Sequence, residues 1–246
     1  MRQLLPLMPS REYKPHMKLY GCLVFLLASL FTLIRTSEAT PTDFEGWASA
    51  SALTSLDDAK TYQLFLELQP RIGDDWHRAA LVLVRPAVVY NPTKALSLYT
   101  GYAWHPTFYN SNYHRDYRDE QRLWQQVIYR HDLWGTAWLH RLRQEQRKIE
   151  HTDGISNRTR YLLRGSYGLT DAGDVGITTF EELMINLNGV DGGPWAGYDR
   201  SRVFLGPYWL VGSTRYEIGY LGEHAKRFGD DERWVNAIAI SGQFNF

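Results

Sequence analysis

Charge recurs at every second residue in the stretch RLRQEQR, where Arg141, Arg143, Glu145 and Arg147 alternate with leucine and glutamine. Two is the side-chain period of a β-strand, so these four charges share one face of an extended segment. The stretch RTRYLLR repeats the pattern, with Arg158, Arg160 and Arg164 on one face and Tyr161, Leu163 and, further on, Tyr167 on the other. The same alternation is legible in TYQLFLELQPR, RAALVLVRPAVVY, LSLYTGYAW, EQRLWQQVIY, TTFEELMINL, SRVFLGPYWL, TRYEIGYLGE and WVNAIAISGQFNF. No segment after Pro41 carries an apolar stripe at helical spacing. Turn-forming residues separate the segments, among them Asn91 to Lys94, Gly135, Asp153-Gly154, Asp171 to Gly176 and Gly212-Ser213. The pattern predicts an all-β meander of ten antiparallel strands beginning at Thr61.

The composition of the two faces decides which points inward. A water-soluble sandwich would bury mostly aliphatic residues, using Tyr and Trp sparingly because their polar atoms need partners. Here Tyr62, Tyr90, Tyr102, Trp104, Tyr129, Trp138, Tyr161, Tyr167, Trp209 and Tyr216 crowd the apolar faces, mostly near strand ends, where a transmembrane barrel sets its aromatic girdles. The expected fold is therefore a transmembrane up-and-down antiparallel β-barrel of ten strands, with twelve as the alternative. Its charged faces would line the lumen as a ladder of Glu120, Arg122, Arg141, Arg143, Glu145, Arg147, Arg158, Arg160, Arg164, Glu182, Arg202 and Glu217. Connections alternate long and short, which puts the long ones outside and the short ones, with the C-terminus, on the periplasmic side. The last strand ends in an aromatic residue, and Ile238, Ile240, Phe244 and Phe246 form the expected signal for the barrel-insertion machinery.

The N-terminus reads as a leader. Leu19 to Ile34 is the only long apolar run, preceded by Lys18 and followed by the small-residue sequence ending at Ala39. Residues 1–39 are expected to be a signal peptide with its true start at Met17, directing export through the inner membrane. Residues 40–60 are left as an N-terminal segment and 61–246 as the outer-membrane barrel. Cys22, the one cysteine, falls inside the leader, so neither a disulfide nor a cysteine-bound metal is expected.

Lys+Arg and Asp+Glu balance at 27 each. That argues against nucleic-acid binding, which needs a basic excess to displace counterions. The expected partners are outer-membrane lipids, lipopolysaccharide and the insertion machinery, around a monomer. No cofactor and no metal are expected, because the histidines are scattered and carboxylates such as Asp230, Asp231 and Glu232 stand in loops. His105, His114, His140, His151 and His224 with Ser111, Ser156 and Ser241 match no hydrolase motif, and His114, Asp116 and Asp119 read as a solvated loop, so a lipid-modifying enzyme stays only as an alternative. Three roles stay open for the rest: a ladder that rigidifies and plugs the lumen, a small anion-selective channel, and surface binding through the aromatic loops at Phe108 to Tyr117 and Pro194 to Tyr198.

The succession LELQPR, EQRLWQQ, RLRQEQR, RTRYLLR, FEELMINL, SRVFLG and YEIGYLGE resembles the bacterial family catalogued as domain of unknown function 2490, from about Trp47 to Phe246. The resemblance implies an exported outer-membrane β-barrel and carries no established activity.

Overall fold

The computed structural model describes residues 42–73, 75–108, 117–226 and 232–246. The leader expected over residues 1–39 lies outside them. Thirteen strands follow in chain order: β1 (Thr42–Ser55), β2 (Tyr62–Gly73), β3 (Arg78–Tyr90), β4 (Leu96–Trp104), β5 (Thr107–Phe108), β6 (Tyr117–Arg118), β7 (Glu120–Leu133), β8 (Thr136–Ile149), β9 (Ser156–Gly168), β10 (Val175–Asn186), β11 (Gly197–Val211), β12 (Thr214–Lys226) and β13 (Glu232–Asn245). Eleven of them close a ring in the order β1, β13, β12, β11, β10, β9, β8, β7, β4, β3, β2 and back to β1. The two-residue strands β5 and β6 pair with each other and extend the sheet beyond β3 at Leu81.

All ten expected strands are present, and the count rises by one. Residues 42–55, within the 40–60 segment that sequence patterning keeps outside the barrel, form β1, which runs antiparallel to β2 and parallel to β13 from Thr42↔Trp234 to Leu53↔Asn245. With an odd number of strands the two chain ends cannot lie at the same rim. Phe246 sits at the rim of the short turns, whereas Thr42 opens at the rim of the longer connections, such as residues 105–119 and 187–196.

Local chemistry explains the tight corners. Trp134 and Gly135 form the two-residue β7–β8 turn, both with positive φ (53° and 74°), the combination that matches strand twist in a hairpin. In the β1–β2 turn, Asp57 accepts hydrogen bonds from the backbone N–H groups of Tyr62 (2.7 Å) and Thr61 (3.0 Å). The Tyr62 bond above all holds its carboxyl below the usual carboxylate range. Gly206 and Gly219 face each other where β11 and β12 pass closest: a Cβ on either would lie 2.1–2.3 Å from the facing carbonyl oxygen. Only glycine allows that approach.

The barrel is inside out relative to a soluble protein. Along β7, Glu120, Arg122, Trp124, Gln126 and Ile128 are buried while Leu123, Val127 and Tyr129 are exposed. Leu123 is 59% exposed and Arg122 only 5%. The outer surface is a continuous belt that includes Leu64, Leu66, Leu68, Leu142, Leu183, Leu205, Ile218 and Ile238. Aromatic pairs border it at both rims: Tyr62–Tyr90 (5.3 Å) and Trp209–Tyr216 (5.8 Å) at the short-turn end, Phe44–Trp76 (6.2 Å) at the other. An apolar surface of this extent is foreign to a soluble monomer. Inside, two apolar clusters pack against the wall: one built on Leu83, Val89, Ala103 and Trp124, the other on Trp47, Phe204, Leu221 and Val235.

Candidate functional site

Strand alternation sends every second side chain of each strand into the lumen, and there the acids collect arginines from neighbouring strands. Glu145, 1% exposed, accepts from Arg158 (2.5 Å) on β9 and from Arg160 (2.9 Å) beside it. Glu120 accepts from Arg122 (2.7 Å) and Arg147 (2.5 Å). Glu182 takes Arg141 (2.6 Å), Arg160 (2.9 Å) and Arg202 (3.4 Å), and Glu217 takes Arg164 (3.1 Å) and Arg215 (2.6 Å). All twelve residues expected in the ladder thus stand in the lumen. Arg143 alone among the arginines of that set hydrogen-bonds to a neutral acceptor and to no carboxylate: its Nε and Nη2 both reach Gln126 Oε1 (2.8 and 2.6 Å), and the Glu145 carboxylate is 3.8 Å away.

The ladder is longer than the sequence reading named. Glu67 pairs with Arg85 (2.8 Å), Glu223 with Arg202 (2.5 Å), Asp199 with Arg158 (2.7 Å), and Arg233 with Glu45 (2.8 Å) and Asp43. The Arg71 guanidinium carbon is 3.3 Å from the Trp47 ring centroid, with that of Arg202 5.0 Å from the same ring. Alternation would have found Glu67, Arg71, Arg85 and Glu223, since each lies on the lumenal face of its strand. Asp199 was out of its reach: the β10–β11 register jumps from Met184↔Arg200 to Ile185↔Tyr198, and the skipped Asp199 turns inward at the bulge.

These ion pairs run along the wall. Each joins strands no more than three apart in the ring of eleven, the widest being Arg164 on β9 with Glu217 on β12. What they enclose is a cavity of about 1410 Å³, lined from Trp195, Lys226 and Arg233 at the long-loop rim to Gln243 and Asn245 at the other. Sixteen Arg and Lys side chains line it against eight Asp and Glu. A chain of zero formal net charge therefore keeps a markedly electropositive interior. At the long-loop mouth, beyond the end of β4, burial and then the Arg122 charge hold the His105 imidazole well below its ordinary range, so it adds no cation at neutral pH.

The remaining candidates fall elsewhere. Ile238, Ile240 and Phe246 are exposed on the outer face, with Phe244 stacked on Phe246 (6.5 Å). His140 faces outward and meets His131 (3.1 Å) and the Tyr161 hydroxyl (2.8 Å), a pairing across the β7–β8 hairpin that linear spacing does not reveal. His224 meets Tyr198 (2.8 Å) and Glu232 (3.1 Å), and Ser241 reaches Glu217 (3.5 Å). The Ser156 hydroxyl is buried without a partner. Asp119 accepts from Trp104 Nε1 (2.7 Å). Ser111, His114, Asp116, Asp230 and Asp231 lie outside the described residues. Among the described residues no three His, Cys, Asp or Glu side chains converge as a metal site requires.

A model of the family described as "Protein of unknown function (DUF2490)" matches residues 44–234. The chain belongs to this family. A relative from Methylorubrum extorquens, an uncharacterised protein, is 32% identical over 207 residues, covering 82% of this chain and 88% of its own. Among solved structures, the outer-membrane-expressed OmpT of Vibrio cholerae aligns with a TM-score of 0.39 and 13% identity, over 70% of this chain and 58% of that one. Its loop L8 deletion mutant aligns with a TM-score of 0.40 and 13% identity, over 74% and 61%. The chain thus spans about three fifths of the length of these structures. The family assignment matches the resemblance carried by the strand segments, and it brings no activity with it.

Proposed function

We propose that this protein is an outer-membrane barrel whose lumen passes or holds small anionic solutes. The observation that carries the reading is the twofold excess of cationic over acidic side chains along one cavity lined at both rims. In a low-dielectric enclosure such an excess favours anions and repels cations, the principle by which arginine and lysine rings select in anion pores. The wall-hugging course of the ion pairs supports a passage over a plug. The outward apolar belt and its aromatic borders support acyl chains and lipopolysaccharide as surroundings. Ring closure by a single chain supports a monomer. The exposed faces of Ile238, Ile240 and Phe246 support their reading as the signal taken by the insertion machinery.

Proteoliposomes carrying the refolded barrel test the proposal in iso-osmotic solutions of an acidic amino acid, a neutral sugar and a basic amino acid. Swelling is expected to be fastest in the acidic solute. Equal rates in all three, or a preference for the basic one, would overturn it. A plugged, purely structural barrel is the second reading, favoured by the side of the lumen where Leu83, Val89, Ala103 and Trp124 pack to 0–1% exposure. It calls for no swelling in any solute.

A further inference from the structure

Four lumenal arginines keep a buried N–H group with nothing to donate to: Arg71 Nε beside Trp47 and, in a second neighbourhood, Arg85 Nε, Arg141 Nε and Arg143 Nη1. Buried donors are almost always satisfied, so three orphans in one neighbourhood call for an acceptor. The rest of each of these three guanidinia is anchored: Arg85 on Glu67 (2.8 Å), Arg141 on Glu182 (2.6 Å) and Arg143 on the Gln126 amide oxygen. Arg85 and Arg143 stand over the same Trp124 ring, 5.7 and 4.8 Å from its centroid, and Arg141 is among the like charges that bear on Arg143. All three line the cavity, and Arg143 is only 2% exposed. A guanidinium held away from water with part of its donor set unmet is destabilising. Here Gln126 stands where an acid would complete the ladder, the Glu145 carboxylate is 3.8 Å from Arg143 Nη1 and so beyond hydrogen-bond reach, and an acceptor for that N–H is left to come from outside the chain.

We propose that the space between Arg85, Arg141 and Arg143 is a binding site for a small oxyanion of the sulfate, phosphate or carboxylate type. Guanidinium forks match such oxygens in spacing and direction, and anchors on the far side of each arginine fix the forks in place. Trp124 holds two of the three by cation–π contact. The site deepens the anionic reading of the lumen, and rests on it only in requiring that the cavity be reached from solution.

Calorimetric titration of sodium sulfate into the full barrel in non-ionic detergent, at constant ionic strength, tests this. Saturable binding is expected for the native protein. Arg143→Gln is expected to weaken it about tenfold or more, the loss that goes with one charge-assisted hydrogen bond. Arg118→Gln, at the long-loop rim, is expected to leave it unchanged. Should Arg143→Gln fail to fold, Arg143→Lys keeps the charge, loses the fork, and is expected to weaken sulfate as well. Absence of saturable binding by the native barrel, or equal binding by the Arg143 and Arg118 variants, would overturn the site. A barrel that binds sulfate and swells in no solute keeps the site and loses the passage; anion-selective swelling without saturable binding does the reverse.

Discussion

Glu145→Ala is expected to cost about 3–5 kcal/mol of stability and to abolish the heat-modifiable band that a closed barrel gives on a gel, because removing one partner of a buried ionic network strands the others. Glu145 is among the most buried charges of the chain, and four guanidinia depend on it: Arg158 and Arg160 by direct bonds, Arg143 and Arg122 at 3.8 and 3.9 Å. Their remaining acceptors, Asp199, Glu182, Gln126 and Glu120, already serve other donors or cannot move without breaking their own pairs. Glu145→Gln retains an acceptor oxygen and removes only charge, so it should sit between the native protein and the alanine variant. Replacing Glu145, Arg158 and Arg160 together with apolar residues of similar volume should recover much of the loss, since Asp199 keeps Arg200, Glu182 keeps Arg141 and Arg202, Arg122 keeps Glu120, and Arg143 alone is left without a nearby carboxylate. Thermal melts of the refolded variants in detergent check the order. An alanine variant as stable as the native protein would mean that the network carries little of the fold.

The second large effect is topological and all-or-none. Thr42→Cys is expected to react with a membrane-impermeant maleimide added to intact cells, and Ser213→Cys, in the two-residue β11–β12 turn, only after the cells are broken. Cys22, ahead of β1, is the chain's one native cysteine, so single-cysteine variants are easily made. The expectation follows from β1 lying parallel to β13, which places Thr42 at the rim opposite Phe246. A ten- or twelve-stranded barrel would put both ends at the same rim. Protection of Thr42→Cys in intact cells together with exposure of a residue in the 187–196 connection would show that β1 does not close the ring as described.

The reach of the sequence can be judged strand by strand. β7 and β8 were legible because Leu123 and Val127, or Arg143 and Glu145, make one face unmistakably unlike the other. β1 was not. Its outward positions are Gly46, Ala48, Ala50 and Ala52, and its inward ones mix Glu45, Trp47, Ser49 and Ser51, so neither face stands out as apolar or charged. Small residues alternating with serines carry little hydropathy contrast, although the ring needs that strand to close. Lumenal identity followed from alternation, but partnership did not. Arg141 reaches past β9 to Glu182 on β10, and Asp199 enters only through a bulge. Such choices are set by the curvature of a closed ring, which no single strand encodes. The three orphan N–H groups were likewise invisible, because they depend on which acceptors are already taken.

Whether the electropositive lumen favours anions can be read from the zero-current potential of single barrels in a planar lipid bilayer across a steep KCl gradient. Such a lumen should give discrete conductance steps and a potential of the sign set by chloride moving down its gradient, shifted toward zero in Arg143→Gln. A potential of the opposite sign, or a folded, heat-modifiable barrel that never conducts, would contradict that selectivity.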